Sequence, residues 1–365
     1  MSTIRQRLQS IAGIIPVRDK PLMRRFTLVQ TAAIALICGV LTSLAAAADS
    51  PAKLTWPAGL PVYDHVVIVV EENKDYDHII GSSAAHYINT VLKAEGASFT
   101  RMYGEEHHSQ GNYYWLFSGS NQSVGFSDHV PDAKNNAAYP FQTGNLGQQL
   151  IAAGKTFKGY CEDLPSIGYT GHSSPNKLYA RKHAPWISFA NVPNGTTAAT
   201  SSNLRFADFP TDFRELPTVS IVIPNLDNDM HNGILRNGVA AGDRWLKKHL
   251  DAYYQWAKQN NSLLILTFDE NDDQRNLKGL TDPFVPNADA KSNRDIQNRV
   301  ATIFAGAHVK AGEYAEGQGI THVNLLRTLE AMYGLPKSGA QQPHAARGGI
   351  TDDFIVTDVF QTATK

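Results

Sequence analysis

The run Asp64-His65-Val66-Val67-Ile68-Val69-Val70-Glu71-Glu72-Asn73 determines the fold class of this chain. Its five central residues are all apolar and β-branched. They lack the alternation of apolar and polar positions that marks a strand with one face in water. An uninterrupted run of this kind is typical of a strand buried on both faces of a sheet.

Three further runs of the chain have the same apolar, strand-like character. They lie at residues 218–223, 262–268 and 300–304. Segments between the runs space their apolar residues three and four apart, which is typical of helices with one buried face. These helical segments are residues 145–153, 242–258 and 322–333. Because buried strands alternate with helices, the sequence predicts an α/β fold, a three-layer sandwich with a mostly parallel central sheet.

The N-terminus has the composition of a secretory signal peptide. Arg24 and Arg25 precede an apolar stretch at residues 28–44, which ends in four alanines before Asp49. A positive flank, an apolar middle and small residues at the exit are the parts of such a signal. We therefore predict that residues 1–48 are a cleaved signal and that residues 49–365 form one catalytic domain. The mature protein would be exported to the periplasm or the medium.

Two other interpretations of this N-terminus stay open. The apolar stretch approaches the roughly 20 residues that span a bilayer, so it would also serve as an uncleaved anchor. Met23 would give a compact signal, which would make residues 1–22 an upstream extension. If cleavage occurs, the mature chain has no stable insertion in the membrane.

The charge of the mature chain limits its partners. Removal of residues 1–48 leaves 27 basic and 33 acidic residues, a net charge of −6. This balance argues against binding of nucleic acid, which depends on basic side chains that neutralise phosphates. A small phosphate ester stays compatible, because a bound metal ion would dominate the local field. Cys161 is the one cysteine after the predicted signal, so the mature chain has no internal disulfide.

Polar residues collect at the carboxyl ends of the predicted strands, where ligands bind in open α/β sheets. Glu71, Glu72 and Asn73 follow the first strand, and four acids lie within residues 269–273 after the third. Burying several acids costs free energy unless a partner compensates, and a hard divalent cation takes oxygen ligands of this kind. The alternative for each strand end is a solvated turn.

Histidines at later positions add candidate nitrogen ligands. Asp227 and His231 stand four residues apart after the second strand, the spacing of one helical turn. A carboxylate and an imidazole at that spacing suit zinc or a similar metal, and a turn capped by Asn and Asp side chains is the alternative. His322 opens the last predicted helix, where a capping or structural role is the alternative to metal binding.

Ser109 is the candidate nucleophile. It lies in His107-His108-Ser109-Gln110-Gly111-Asn112-Tyr113, before an aromatic run that predicts a helix. A serine at a helix N-terminus meets free backbone N–H groups and the positive end of the helix dipole, which favour phosphate. The alternative for Ser109 is a plain N-cap.

In their order along the chain, these motifs resemble the phosphoesterase family of the alkaline-phosphatase-like superfamily. That family includes bacterial acid phosphatases, phosphatidylinositol-3-phosphatase-like proteins and phospholipases C. The resemblance covers residues 64–354, and Lys182-His183-Ala184-Pro185 is similar to the acid phosphatase branch. The other motifs that carry it are Glu72-Asn73, the segment 107–113, Pro224-Asn225-Leu226-Asp227-Asn228-Asp229-Met230-His231, Asp269-Glu270 and Thr321-His322.

The resemblance implies an alkaline-phosphatase-like sandwich and a divalent metal cofactor. The implied ligands of the metal nearest the nucleophile are Glu72, Asn73, Ser109, Asp269 and Glu270. The implied positions of a second metal group are Asp227, His231 and His322. Glu270 stands where dinuclear relatives have a histidine, which leaves open the identity of the metal and whether one or two ions bind. His108 and Gly111 replace the prolines that usually flank Ser-Gln.

The function implied by this resemblance is that of an exported, metal-dependent acid phosphatase. It would hydrolyse small phosphate monoesters through a phosphoseryl intermediate, with phosphoinositides and other phospholipids among the candidate substrates. Ser109 would attack phosphorus, and Asn112 would donate to a phosphoryl oxygen. His183 or His231 would protonate the leaving alkoxide.

Two alternatives from other classes are kept. A phospholipase C-type phosphodiesterase would share the metal and Ser109 and would differ in how it receives the second ester group. A secreted metal- or glycan-binding domain would keep the fold without the chemistry.

Overall fold

A nine-stranded sheet organises the protein. The computed structural model describes residues 60–125, 127–233, 235–272, 298–317 and 319–361, all within one compact unit. The predicted signal at residues 1–48 lies outside these ranges. The strands are β1 (His65–Glu71), β2 (Ala97–Tyr103), β3 (Phe157–Cys161), β4 (Asn203–Arg205), β5 (Val219–Ile223), β6 (Ser262–Phe268), β7 (Arg299–Gly306), β8 (Gly312–Tyr314) and β9 (Ile320–Thr321).

The strand order makes the sheet mostly parallel, with β1 near its centre. The order is β4-β3-β5-β1-β6-β7-β2-β8, and β9 pairs with β2 beside this path. Strands β4, β3, β5, β1 and β6 are parallel neighbours, whereas β7 pairs antiparallel with both β6 and β2. The carboxyl ends of β5, β1 and β6 therefore meet at one edge of the sheet.

Helices cover the sheet. They are α1 (Tyr76–Ile79), α2 (Lys93–Glu95), α3 (Ser109–Ser118), α4 (Leu146–Ala152), α5 (Leu235–Ala257), α6 (His322–Tyr333) and α7 (Pro343–Arg347), with a π-helical turn at Ile88–Leu92 and 3-10 turns at Arg181–His183, Pro185–Ser188, Phe206–Asp208 and Phe213–Glu215. All seven residues of β6 are buried, as are six of the seven in β1, so both faces of these strands are covered. Within the described ranges, no helix combines the length and apolarity that a bilayer crossing requires.

The predicted α/β class and the mostly parallel sheet are confirmed. The four apolar runs correspond to β1, β5, β6 and β7, and the three helical segments correspond to α4, α5 and α6. Helix α5 begins at residue 235, seven residues earlier than its apolar spacing indicates. Residues 273–297, between β6 and β7 in the sequence, lie outside the described ranges.

Strands β2 and β3 did not stand out in the sequence because neither is an uninterrupted apolar run. In β2, Thr100 and Arg101 interrupt the apolar residues, and Arg101 is exposed, with its guanidinium donating to the carbonyl of Gly317. In β3, which has five residues, Lys158 and Gly159 separate Phe157 from Tyr160. Strands of this composition form because their neighbours in the sheet supply the hydrogen-bonding partners.

Trp186 attaches the segment that carries Lys182 and His183 to the sheet. Its ring lies on Gly159 of β3, so close that a Cβ on residue 159 would stand 2.1 Å from the ring carbon Cζ2. The indole Nε1 donates to Asn203 Oδ1 at 3.1 Å, and the side chain is buried. The absence of a side chain at residue 159 thus lets Trp186 reach the sheet, and this contact places the turn at Arg181–His183.

We expect Gly159→Ala to lower the free energy of unfolding by about 1–3 kcal/mol, because the added methyl and the Trp186 ring compete for the same space. Urea denaturation monitored by tryptophan fluorescence measures this change. Gly144→Ala is the matched control: Gly144 is exposed, and the nearest atom to its added Cβ lies at 3.5 Å. Equal stability of the two variants would contradict the prediction.

Candidate active site

Three neighbouring parallel strands deliver the site's acidic residues to one place. Glu71 at the end of β1 pairs in register with Phe268 at the end of β6. Glu72 and Asp269 are therefore the first residues after these two adjacent strands. The backbone N–H of Asp269 donates to the carbonyl of Glu71 at 3.1 Å. The chain then turns at Asn73, whose φ of 48° lies in the left-handed region that asparagine tolerates. This turn allows the consecutive residues Glu72 and Asn73 both to face Ser109.

Ser109 begins helix α3 and is buried. Its Oγ lies 3.0 Å from Glu270 Oε1, 3.2 Å from Glu72 Oε2 and 3.4 Å from Asn73 Oδ1. Asp269 also receives a hydrogen bond from the Ser109 side chain. The structure thus brings together Glu72, Asn73, Ser109, Asp269 and Glu270, the five residues that the resemblance implies as ligands of one metal.

The chemistry of this group fits a divalent cation. A hydroxyl has one proton, so Ser109 donates to only one of the acceptor oxygens around it at a time. The backbone N–H of Asn73 donates to Asp269 Oδ1 at 3.1 Å. Glu72, Asp269 and Glu270 are buried. Burial and mutual repulsion raise the pKa of Glu72, and burial and the charge of Glu270 raise the pKa of Asp269 to about 7. Crowded, desolvated oxygens of this kind are hard ligands that Mg²⁺, Mn²⁺, Ca²⁺ or Zn²⁺ would bind.

The amide of Asn73 lies between two of these carboxylates and is able to donate hydrogen bonds to both. Turned about its last torsion, its NH₂ group donates to Glu72 Oε2 at 3.2 Å and to Asp269 Oδ1 at 3.3 Å. That orientation places amide hydrogens between the two carboxylates, whereas the opposite orientation presents Oδ1 as a metal ligand. The Asn73 amide is therefore able to donate hydrogens to the two carboxylates in one orientation and to offer Oδ1 to a metal in the other.

Tyr113 holds the second oxygen of the Glu72 carboxylate, and His183 lies beside it. The Tyr113 hydroxyl donates to Glu72 Oε1, and His183 Nε2 lies 3.3 Å from the same oxygen. The two rings stack with centroids 5.0 Å apart. Burial, together with the charge of Lys182, lowers the pKa of His183, so this imidazole is neutral near pH 7. Tyr113 is thus a residue of the site that the sequence indicated only as part of the aromatic run after Ser109.

Lys182 is a cationic residue of the site that the sequence had indicated only as part of the motif at residues 182–185. Its Nζ donates to Asp128 Oδ2 at 2.7 Å, and Asp128 Oδ1 accepts from the backbone N–H of Gln110 in helix α3. Burial alone would lower the pKa of Lys182, but the charges of Glu72 and Asp128 outweigh it and raise this pKa. The Asp128 carboxylate thus joins a positive charge to the first turn of the nucleophile helix.

The turn after β5 contributes Asp229 to the site and leaves Asp227 outside it. Asp227 is exposed and accepts from Asn232 Nδ2, so it does not share a face with His231 as predicted. Asp229 is buried, its Oδ1 accepts from the N–H of His231, and its Oδ2 lies 3.9 Å from His183 Nδ1. The reason is that the segment folds as an Asx-type turn around Asn225, not as a helical turn.

His231 lies near His183 as a partly buried imidazole that is not paired with Asp227. Its Nδ1 contacts Asn232 Oδ1 at 3.1 Å. Burial lowers its pKa, and Lys182 and Lys74 contribute further lowering. In this position His231 is a candidate proton donor beside His183.

His322 is buried, and both of its ring nitrogens contact groups of the protein. Its Nδ1 contacts Glu105 Oε2 at 2.6 Å and its Nε2 contacts the carbonyl of Phe268 at 2.8 Å, so both ring nitrogens are occupied. Burial would lower the pKa of His322, but Glu105 and the Phe268 carbonyl outweigh it and raise this pKa. The imidazolium therefore fixes the end of β6, one residue before Asp269. With Asp227 exposed as well, the described residues do not assemble the implied second metal group.

Asn112 is likewise occupied. Its Oδ1 accepts from the N–H of Glu106 at 2.9 Å, and its Nδ2 donates to the carbonyl of Glu106 at 2.7 Å. The amide therefore locks the residues before helix α3, which differs from the predicted contact with a phosphoryl oxygen. His107 lies on the other side of this turn and contacts Glu270 Oε2 at 2.6 Å.

Glu106 is a buried acid under helix α3. Its Oε1 accepts from Trp115 Nε1 and Asn121 Nδ2, and its Oε2 has no hydrogen-bond partner. A Cβ on residue 111 would crowd Oε2, so glycine at this position leaves room for the Glu106 carboxyl. Burial raises the pKa of Glu106 to about 7.

We expect Glu106 to make the protein less stable as pH rises from about 4.5 to 7. Over this range the unfolded chain releases the Glu106 proton while the folded chain keeps it, so unfolding becomes easier; above pH 7 the effect levels off. The loss approaches about 3 kcal/mol, and Glu106→Gln should remove it. Urea denaturation at pH 5 and pH 8 measures the difference, with the exposed Glu215→Gln as control. The same pH dependence in wild type and Glu106→Gln would refute this assignment.

Comparisons with known proteins found several that are similar to this chain. A protein in the alkaline phosphatase superfamily from Vibrio parahaemolyticus resembles the structure with a TM-score of 0.48 at 11% identity, covering 79% of this chain and 72% of that chain. The chain is 28% identical to a probable acid phosphatase of Kluyveromyces lactis over 62% of this chain, and it spans about half (52%) of that relative's length.

Two stronger matches define the family. The chain is 43% identical over 284 residues to phosphatidylinositol-3-phosphatase of Mycobacterium tuberculosis, covering 77% of this chain and 81% of that protein. The model of the phosphoesterase family matches residues 83–336. The resemblance found in the sequence is thereby confirmed: the chain belongs to the phosphoesterase family and is an enzyme that hydrolyses phosphoric esters.

Proposed function

We propose that the protein is an exported, metal-dependent phosphomonoesterase that works through a phosphoseryl intermediate on Ser109. The observation that carries the proposal is the position of the Ser109 hydroxyl, within 3.0–3.4 Å of oxygens from two adjacent strand ends. A serine placed only for capping needs no buried carboxylates around it. The convergence of three buried acids on this hydroxyl favours a reactive role.

A divalent cation held by Glu72, Asn73, Ser109, Asp269 and Glu270 would lower the pKa of the serine hydroxyl and offset charge on the phosphoryl oxygens. The protein itself orients the nucleophile. Glu270 Oε1, at 3.0 Å, is the nearest acceptor for the hydroxyl proton. Oγ then forms a bond to phosphorus while the bond from phosphorus to the leaving alcohol breaks.

His183 and His231 are the candidate acids for the leaving alkoxide. Burial lowers the pKa of both imidazoles, so the protonated donor form becomes more abundant as the pH falls. In the second half of the reaction the same imidazole, now neutral, accepts a proton from the water that attacks the phosphoseryl group. Acid-side operation of the enzyme follows from these lowered pKa values.

The substrate class is supported by the charges around the site and by the relative from Mycobacterium tuberculosis. Lys74 and Lys182 flank the carboxylates, and both interact electrostatically with Glu72 and Asp269. These two positive charges attract a phosphate monoester, which carries two negative charges, more strongly than a phosphate diester, which carries one. We infer a preference for monoesters, with the 3-phosphate of a phosphoinositide as the first candidate.

The decisive test replaces the nucleophile. Ser109→Ala should lower kcat for nitrophenyl phosphate and for a short-chain phosphatidylinositol 3-phosphate by at least about a thousandfold, because no oxygen remains to attack phosphorus. The circular dichroism spectrum should stay that of the wild type. Ser118→Ala, at the other end of α3, is the matched control and should keep kcat within a few fold.

The same assay separates the competing functions. A phosphocholine diester hydrolysed faster than both monoesters would favour the phosphodiesterase alternative. Turnover of no phosphate ester by metal-loaded wild type would favour a binding protein. Normal turnover by Ser109→Ala would remove Ser109 from the mechanism.

Export is supported by the composition of residues 1–48. If the signal is cleaved after the alanine run, N-terminal sequencing of protein from the periplasm or medium should begin near Asp49. A chain recovered from the membrane fraction with an intact N-terminus would instead support the uncleaved anchor.

A further inference from the structure

A second group of side chains of the types that bind metals lies on the segments next to the active-site ligands. It consists of Asp75, His78 and Asp272, and we refer to it as the Asp75–His78–Asp272 group. Asp75 lies two residues after Asn73 and precedes helix α1, which carries His78. Asp272 lies two residues after Glu270. The group is thus built from the segments that leave β1 and β6, the same strands that supply the active-site carboxylates.

The distances within this group fit the faces of a small coordination polyhedron. His78 Nδ1 lies 3.1 Å from Asp272 Oδ2 and 3.6 Å from Asp75 Oδ2, and the three ligand atoms lie within 4.8 Å of one another. Zinc binds nitrogen and carboxylate oxygen at about 2.0–2.2 Å in tetrahedral sites, which puts neighbouring ligand atoms about 3.3–3.5 Å apart. Two of the three separations are already close to this value.

We propose that the Asp75–His78–Asp272 group binds a zinc-type divalent cation, separate from the ion beside Ser109. The donor set of one imidazole and two carboxylates is the kind that zinc accepts, and water would complete a fourth position. The side chains of His78 and Asp272 are each 25% exposed, so an ion is able to enter from solvent.

The ion would connect the two segments that carry the active-site ligands. The backbone N–H of Lys74 already donates to the carbonyl of Glu270 at 3.2 Å, and the N–H of Asp272 donates to Asp75 Oδ1 at 3.4 Å. A cation shared by Asp75 and Asp272 would reinforce these links. It would thereby restrain Asn73 and Glu270, two residues inward on each segment.

The competing explanation is a protonated His78 that forms ion pairs with both aspartates. Such pairs are partly exposed here and stabilise proteins little. The two explanations differ in what a thiolate at residue 78 would do. A cysteine keeps a zinc ligand but removes the imidazolium, so it preserves a metal site and destroys an ion pair.

The first experiment counts zinc bound to purified protein after equilibrium dialysis, by plasma mass spectrometry. His78→Ala should hold one ion fewer than wild type, with zinc affinity at this group at least about a hundredfold weaker. His86→Ala is the matched control, an exposed histidine in the same region, and should keep the wild-type count. A His78→Ala count equal to that of wild type would overturn the proposal.

The second experiment uses Co²⁺ as a spectroscopic substitute for zinc in His78→Cys. A sulfur-to-cobalt charge-transfer band that is absent from wild type should appear, because the new thiolate would bind the ion. Its absence in folded protein would overturn the proposal in favour of ion pairing. Neither readout depends on catalysis, so the proposal stands or fails independently of the role of Ser109.

Discussion

The hydroxyl of Ser109 has one proton to share among several acceptor oxygens, and the architecture of the site depends on this shortage. Glu72, Asp269 and Glu270 are buried, so water neither hydrates nor screens their charges. A single hydrogen bond from Ser109 compensates a small part of that cost. The remaining demand for positive charge makes the site receptive to a divalent cation. It also explains why Asn73, whose amide offers either an oxygen or hydrogens, stands between the carboxylates.

The sheet makes such a concentration of acids possible. Because β1 is flanked by parallel neighbours and buried on both faces, the ends of three strands are held in fixed register. Buried side-chain contacts then fix the residues that follow. His322 holds the carbonyl of Phe268, Tyr113 holds Glu72, and Asn112 holds the backbone of Glu106. These contacts fix Glu72 itself, the residue before Asp269 and the segment before Ser109. The fold therefore positions the proposed metal ligands without a bound ion.

The sequence predicted what depends on local patterns and missed what depends on where turns point. Uninterrupted apolar runs identified the central strands, and acids at their ends identified Glu72 and Asp269. In contrast, Asp227 and Asp229 are indistinguishable by type, and only the turn around Asn225 decides which one is buried. The role of His322 was also undetermined, because its partner Glu105 is 217 residues away in the chain. Long-range pairing of this kind leaves no periodic signal.

The balance of charge around the site decides which state of the substrate enters. Four acids are buried here, the three beside Ser109 together with Asp229. The lysines Lys74 and Lys182 lie near them and interact electrostatically with Glu72 and Asp229. Without a further cation the site would repel a phosphate dianion. A divalent ion held beside Ser109 would offset part of this negative charge, with Lys74 and Lys182 as further positive groups near the carboxylates. If the site holds such a cation, we expect its removal by a chelator to weaken the binding of phosphate as well as to abolish hydrolysis of phosphate esters.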